Sequence, residues 1–224
     1  MTKRSPQKTR DPIATRARIL RAAKVEFAQK GLGGARVDVI SAKSKANKRM
    51  LYHYFGNKDQ LFTITLEDAY AHFRLAEAEL EIEKDSPIVA LTRLVNFTWN
   101  YYLNNPEFIT LVNSENLHKA RHIKTSQRIR ELSQPFVGRM RTLLERGAAD
   151  GLFRNNLDPV QVNVTIAAIG YYYLTNRFTG SIVFERDLMS EKSLADRLNF
   201  NTETVLRLVC TPQTLAKLEA DTRP

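Results

Sequence analysis

The chain of 224 residues contains a single cysteine, Cys210. An internal disulfide is therefore excluded, as is a zinc site built from cysteine thiolates, which needs several of them. Cys210 reads as a small buried hydrophobe in a C-terminal helix. Glycine and proline are scarce, at 9 and 8 residues. That is too little punctuation for a many-turned β fold, and a mostly helical chain is expected. No apolar run approaches the ~18 residues needed to span a bilayer. The stretch Met1–Asp11 is basic and polar and lacks the apolar core of a secretory signal. Together with the lone thiol, these absences lead to the expectation of a cytoplasmic protein with no membrane partner. Catalytic signatures are missing too. There is no glycine-rich phosphate loop, no G-x-S-x-G elbow, no H-E-x-x-H pair and no cysteine nucleophile arrangement. An enzyme is not expected, and no cofactor is implied.

Acidic residues are scarce where basic ones abound. Residues 1–60 hold four acids (Asp11, Glu26, Asp38, Asp59) against fifteen lysines and arginines, and residues 61–224 hold twenty acids against nineteen. The whole net charge of +10 therefore originates in the first quarter, which calls for an anionic partner there, nucleic acid or a membrane surface. A membrane-binding helix would need a bulky apolar face open to lipid. Here Ile19, Leu20, Ala23 and Phe27 recur at helical spacing and suit the core of a small helical domain better.

Residues 1–12 read as a flexible basic arm, with Pro6 and Pro12 opposing helix. A first helix is predicted over about Ile13–Lys30, stopped by Gly31. A short helix follows over about Val37–Ser44, and a third over Lys48–Phe55, with Asn47 as its N-cap. Asn57 and Gln60 have capping-box spacing and open the next helix, which continues to about Ile82. Further helices are expected at about 88–104, 106–119, 125–150, 159–178, 185–198 and 202–219, with Pro87, Pro106 and Pro159 in first turns.

Three short helices in a basic segment suggest a helix-turn-helix, because one helix fits the major groove of B-DNA while another braces it. On the reader helix, Met50, Leu51 and Tyr54 would face inward, and Lys48, Arg49, Tyr52 and His53 outward. Phe55 reads as core. Arg36, at the start of the bracing helix, Asn47 and Lys58 complete the candidate DNA-binding set. Lys3, Arg4, Lys8 and Arg10 would add contacts from the arm.

The order of Arg18-Ile19-Leu20-Arg21-Ala22-Ala23, Phe27-Ala28-Gln29-Lys30-Gly31, Val37-Asp38-Val39-Ile40, Leu51-Tyr52-His53-Tyr54-Phe55 and Asn57-Lys58-Asp59-Gln60-Leu61-Phe62 resembles the TetR family of bacterial regulators. One departure is that Lys45 stands where the family often has the glycine of the turn. The resemblance implies an all-α protein. An N-terminal three-helix DNA-binding domain (residues 13–58) would be followed by a larger C-terminal helical domain for ligand binding and dimerisation (residues 59–224). Arg146-Gly147, Asp150-Gly151-Leu152-Phe153-Arg154 and Leu157-Asp158-Pro159 are similar to a loop-and-helix-start pattern of the same family. It further implies a homodimer on a palindromic double-stranded operator, with interface helices at about 159–178 and 202–219, for which periodicity offers Leu206, Val209 and Leu215. A small-molecule effector would move the helix after the DNA-binding domain and so release or re-orient the readers. The alternative is an architectural DNA binder with no ligand.

Aromatic and polar residues within apolar helices supply the candidate effector pocket, namely Trp99, Tyr102, Asn113, Asn116, His118, Asn163, Tyr172 and Asn176. Glu115, His118 and His122, at i, i+3 and i+7, would share one helix face and could ligate a metal. The nearby Lys119, Arg121 and Lys124 disfavour a cation, and no metal is expected.

Overall fold

The computed structural model describes residues 11–221 of the chain. The arm cations Lys3, Arg4, Lys8 and Arg10 lie outside the described residues. Among the described residues there are eleven α-helices, which are α1 (Pro12–Gly34), α2 (Val37–Ser44), α3 (Lys48–Phe55), α4 (Lys58–Ala78), α5 (Pro87–Asn104), α6 (Pro106–Leu117), α7 (Gln127–Ala149), α8 (Pro159–Thr175), α9 (Arg177–Val183), α10 (Glu191–Val209) and α11 (Pro212–Asp221). A single 3-10 turn spans Ile123–Thr125. None of the described helices is long and apolar enough to cross a membrane.

The chain forms two compact units. The first comprises the residues up to Ala69 together with Thr110–Ser126, and the second comprises Tyr70–Ile109 with the residues from Gln127 onward. The division falls within α4 and again within α6.

In the first unit, α1 opens on an Asp11 carboxylate that accepts hydrogen bonds from the amides of Ile13 (2.9 Å) and Ala14 (3.3 Å). Pro12 takes the first turn, where its missing N–H costs nothing. The helix is interrupted at Gly31, whose φ of 63° lies in the region that favours glycine. Ile19, Ala23 and Phe27 are fully buried, as are Ile40 of α2, Leu51 of α3 and Leu61 and Phe62 of α4. Each of these side chains larger than Ala23 stabilises the unit by ~1.5–3 kcal/mol relative to exposure. The rings of Phe27 and Phe62 meet edge to face at 5.0 Å. The later segment is joined in by polar contacts. The Leu32 amide donates to Ser114 Oγ (3.2 Å), Arg121 pairs with Asp59 (2.7 Å), and the Ser126 hydroxyl donates to Glu67 (2.7 Å).

The second unit packs α5, α7, α8 and α10 around Leu91, Leu94, Met140, Leu143, Ile166 and Val205. Phe153 and Cys210 form an isolated antiparallel bridge, with Arg154 N donating to Val209 O and Thr211 N to Leu152 O, both at 2.9 Å. Cys210 is buried, as expected, but it ends α10 rather than lying inside a helix.

The C-terminal helices differ from the sequence reading. The helix expected at 159–178 stops at Thr175, and α9 starts afresh at Arg177 beyond the junction residue Asn176. α10 runs through residues 199–201, where a break was expected, because Asn201 is buried and nothing there ends a helix. The break comes at Cys210 and Thr211, and Pro212 opens α11. Val209, offered by periodicity as an interface residue, is fully buried in the unit's own core, with Leu206 and Leu215 packed partly against it.

Candidate functional site

The turn between α2 and α3 decides how α3, the expected reader helix, is presented. Lys45 adopts φ 54° and ψ 31°, the left-handed conformation that a glycine would adopt at less cost. Its amide donates to Ala42 O and that of Ala46 to Ser41 O, both at 3.2 Å. This pair of bonds closes α2 and reverses the chain. Two residues later the Asn47 side chain accepts the Met50 amide at 2.8 Å and caps α3. At the far end Gly56, with φ 75°, stops α3. Asn57 and Gln60 then exchange reciprocal bonds, Gln60 N to Asn57 Oδ1 (2.8 Å) and Asn57 N to Gln60 Oε1 (3.1 Å). Both ends of the reader are therefore fixed by short-range hydrogen bonds.

Within that frame, Leu51 and Phe55 are buried, while Met50 and Tyr54 are half-buried. Lys48, Arg49, Tyr52 and His53 are exposed. They stand at i, i+1, i+4 and i+5, one continuous helical face. Tyr52 keeps 45% of its surface in solvent, which leaves its ring and hydroxyl available for contact. Arg36 joins this face through Asp38, which lies 3.8 Å from Arg36 and forms an ion pair with Lys48. The hydrogen bond and charge of Lys48 hold the Asp38 carboxyl below its usual pKa. Lys58 is turned toward the Gly33 carbonyl, at 3.3 Å.

Beneath this face lies a residue the sequence reading passed over. Glu26 is buried and accepts from the Arg36 amide and the Lys43 ammonium, both at 3.3 Å. It ties α1 to both ends of α2. The signal was an acid on the core-facing side of a basic helix, between Ala23 and Phe27. Arg18 adds a further strut, donating to Ser44 O and Thr15 Oγ1.

The effector-pocket candidates fall into separate groups. Trp99 and Tyr102 are buried in α5 of the second unit. Trp99 lies edge-on to Tyr173 at 5.6 Å, and Tyr102 stacks with Phe73 and Phe108 at 6.0 Å. The rings of Tyr102, Phe73 and Phe108 belong to a shell with Tyr70, Phe97, Tyr101 and Tyr171. Within it the Tyr102 phenol is pushed well above its ordinary pKa by burial. Beside it, Arg74 and Glu77 pair at 2.6 Å, both largely out of solvent, and burial raises the Glu77 carboxyl. Neither residue stood out in sequence, because a charged pair at i, i+3 is usually a solvated face.

Tyr172 and Asn176 line a different cavity of about 360 Å³, together with Tyr173, Phe184, Leu188 and Arg197. Asn163 is half-buried on α8. Asn113, Asn116 and His118 belong to the first unit. The Asn116 amide donates to Val112 O (3.0 Å), and His118 Nδ1 lies 2.7 Å from Ser114 O.

The proposed face of Glu115, His118 and His122 does not form. α6 ends at Leu117, and Lys119 and Ala120 turn the chain with φ of 56° and 58°. His122 swings back so that its Nδ1 lies 2.6 Å from Glu115 Oε2, while Glu115 Oε1 accepts the amides of His122 (2.7 Å) and Ile123 (3.0 Å). The carboxylate closes a turn, with Phe62 edge-on to the His122 ring at 5.0 Å. No group of three or more metal-ligating side chains occurs among the described residues.

Comparison with known proteins agrees with this geometry. Residues 19–63 match the family model for bacterial regulatory proteins of the tetR family, and residues 87–205 match that for the tetracyclin repressor-like C-terminal domain. The chain is 40% identical over 206 residues to the HTH-type transcriptional repressor NicS of Pseudomonas putida, an alignment covering 92% of this chain and 97% of that protein. Among solved structures, the transcriptional regulator SCO4942 from Streptomyces coelicolor superposes with a TM-score of 0.67 at 24% identity, covering 87% of this chain and 98% of that one. FadR from Bacillus subtilis, solved in complex with stearoyl-CoA, gives 0.62 at 16% identity over 85% of this chain and 97% of that one. An all-α fold, a capped reader helix in a basic segment and matches over both parts of the chain lead to one conclusion, that the chain belongs to the TetR family of bacterial transcriptional regulators.

Proposed function

We propose that this regulator is a repressor that binds a palindromic operator as a homodimer in the cytoplasm and is released or re-oriented by a small-molecule effector held in the C-terminal part. The observation that carries the reading is the exposed row Lys48, Arg49, Tyr52 and His53 on a short helix capped at both ends. Arg49 and Lys48 reach guanine edges or phosphates, and Tyr52 and His53 extend the contact along the groove. Asn47, Arg36 and Lys58 flank them as phosphate neighbours. Two such helices enter successive major grooves only if held ~34–36 Å apart, which a twofold axis provides. Support for self-association comes from α8, where Val160, Val164, Ala168 and Tyr172 recur every fourth residue and all are exposed. That row is the face we assign to the partner copy, in place of Val209. An effector acts by binding one spacing of the readers better than the other.

The test is selection of genomic fragments at moderate salt, followed by sequencing of the retained DNA. A shared palindrome is expected, and Arg49→Ala should weaken its binding by ~1–3 kcal/mol. Retention of DNA with no common motif would overturn the reading in favour of an architectural binder.

A further inference from the structure

Arg197, on α10, has no counter-ion among the described residues. It is half-buried, and one of its NH2 groups donates to the Ile169 carbonyl at 3.0 Å. Its Nε is buried and has no hydrogen-bond acceptor among the described residues. The guanidinium lies 5.2 Å from the ring centre of Tyr173 and 5.4 Å from that of Phe200. The carboxylate nearest in the sequence, Asp196, is taken by Arg186 (3.1 Å) and Lys192 (2.9 Å). Burial lowers the pKa of Arg197, and the Tyr173 phenol counters this in part. A half-buried guanidinium with an unused N–H is costly unless an anion completes it.

The same arginine lines the cavity of about 360 Å³ between α8, α9 and α10. The rest of its wall is mostly apolar and includes Val183, Phe184 and Leu188, together with Tyr172 of the row assigned above to the partner copy. Leu188 is held there because its carbonyl accepts the Tyr173 hydroxyl at 2.8 Å. The volume lies within the range of small-molecule pockets, and apolar walls around one placed charge suit an amphipathic ligand. We propose that this cavity is a binding site for a small apolar monocarboxylate, its carboxylate on the Arg197 fork and its hydrocarbon body against Phe184 and Leu188. The planar fork matches a carboxylate better than an ammonium would. That such a ligand acts as the effector rests on the function proposed above. Its binding does not, and is measured without DNA.

The chain carries its own reporter. Trp99 is the single tryptophan, and it touches the Tyr173 ring that covers Arg197. The full chain is titrated with hexanoate and, separately, with neutral hexanamide, following Trp99 fluorescence and, in parallel, heat by calorimetry. Saturable binding of hexanoate is expected, with hexanamide weaker by about tenfold or more, since one charge-assisted interaction is lost. Arg197→Met should abolish the preference for the anion, and Arg197→Lys should retain charge yet bind about tenfold more weakly. Circular dichroism checks that both variants are folded. Equal binding of the two probes, or hexanoate binding unchanged in Arg197→Met, overturns the proposal. So does weakened self-association of Arg197→Met, by sedimentation, in a chain that ignores hexanoate, since the counter-ion would then belong to a second copy. Hexanoate binding that leaves operator affinity unchanged would support the site and count against the effector reading alone.

Discussion

Replacing Lys45 by glycine should make the protein more stable, although it removes a side chain and adds chain freedom. Lys45 holds φ 54°, and an L-residue with a Cβ is penalised there by ~1–2 kcal/mol relative to glycine. Against this, glycine gains conformational entropy in the unfolded chain, worth ~0.4–1 kcal/mol. The Lys45 side chain is exposed, and no packing is lost. The balance favours Lys45→Gly by about 0.5–1 kcal/mol. With a urea m-value of ~1–3 kcal/mol/M, the midpoint should rise by roughly 0.2–1 M. Asparagine tolerates the left-handed region and should fall between glycine and lysine, whereas Lys45→Val, β-branched, should lower the midpoint. Urea titrations of the four proteins under one buffer, followed by circular dichroism, give the order directly. A glycine variant less stable than the natural chain, or a valine variant equal to it, would refute the claim that this turn is strained at Lys45.

Other substitutions probe the caps and the core. Asn47→Ala removes the acceptor of the Met50 amide and should cost about 1 kcal/mol in thermal or urea unfolding. It should also weaken operator binding in a gel-shift titration. Gly147→Ala would improve most helices, but here the new Cβ would lie 2.0 Å from the Phe153 ring, which is almost fully buried. A loss of ~1–3 kcal/mol is expected instead, and a rise in melting temperature would contradict it. Glu77 has a folded-state pKa raised by burial, so its ionised form opposes folding at neutral pH. Its contribution becomes more favourable as the pH falls through the folded pKa toward the ordinary carboxylate range. The natural chain should therefore gain on Glu77→Gln in melting temperature between pH 7 and pH 5, and a constant or reversed difference would show that burial does not control this group.

Local signals were legible in the sequence because they need only a few neighbouring residues. Asn47 and the Asn57–Gln60 pair could be read as caps from spacing alone, since the groups they satisfy lie within three residues. Lys45 stood out only through the resemblance to a family that often has a glycine at that turn. The apolar stripe of α1 and the exposed row of α3 followed from helical periodicity. What was illegible depends on partners distant in the chain. Val209 shows the right period for an interface, yet period does not say whether a stripe meets a second copy or the chain's own α5 and α8. Glu115, His118 and His122 had helical spacing, but the helix stopped at Leu117 and the left-handed pair Lys119–Ala120 changed their geometry. The tyrosine and phenylalanine shell around Arg74 and Glu77 draws on four helices, and no single window of sequence contains it.

The hydrogen bond from Leu32 to Ser114 has a consequence for biosynthesis. The unit that holds the reader helix includes residues up to Ala69 and then, after an interval, Thr110–Ser126. Synthesis passes Ala69 long before Ser126 emerges, and the last of the unit is made 57 residues later. At ~5–20 residues per second this is a wait of roughly 3–11 s. During that time Phe62 lacks its His122 cover, and Asp59 and Glu67 lack Arg121 and Ser126. The unit that carries the proposed DNA-reading surface thus matures only as the second unit is being made. A nascent chain on the ribosome would have the α3 side chains proposed to read the operator well before it has the support that completes their unit.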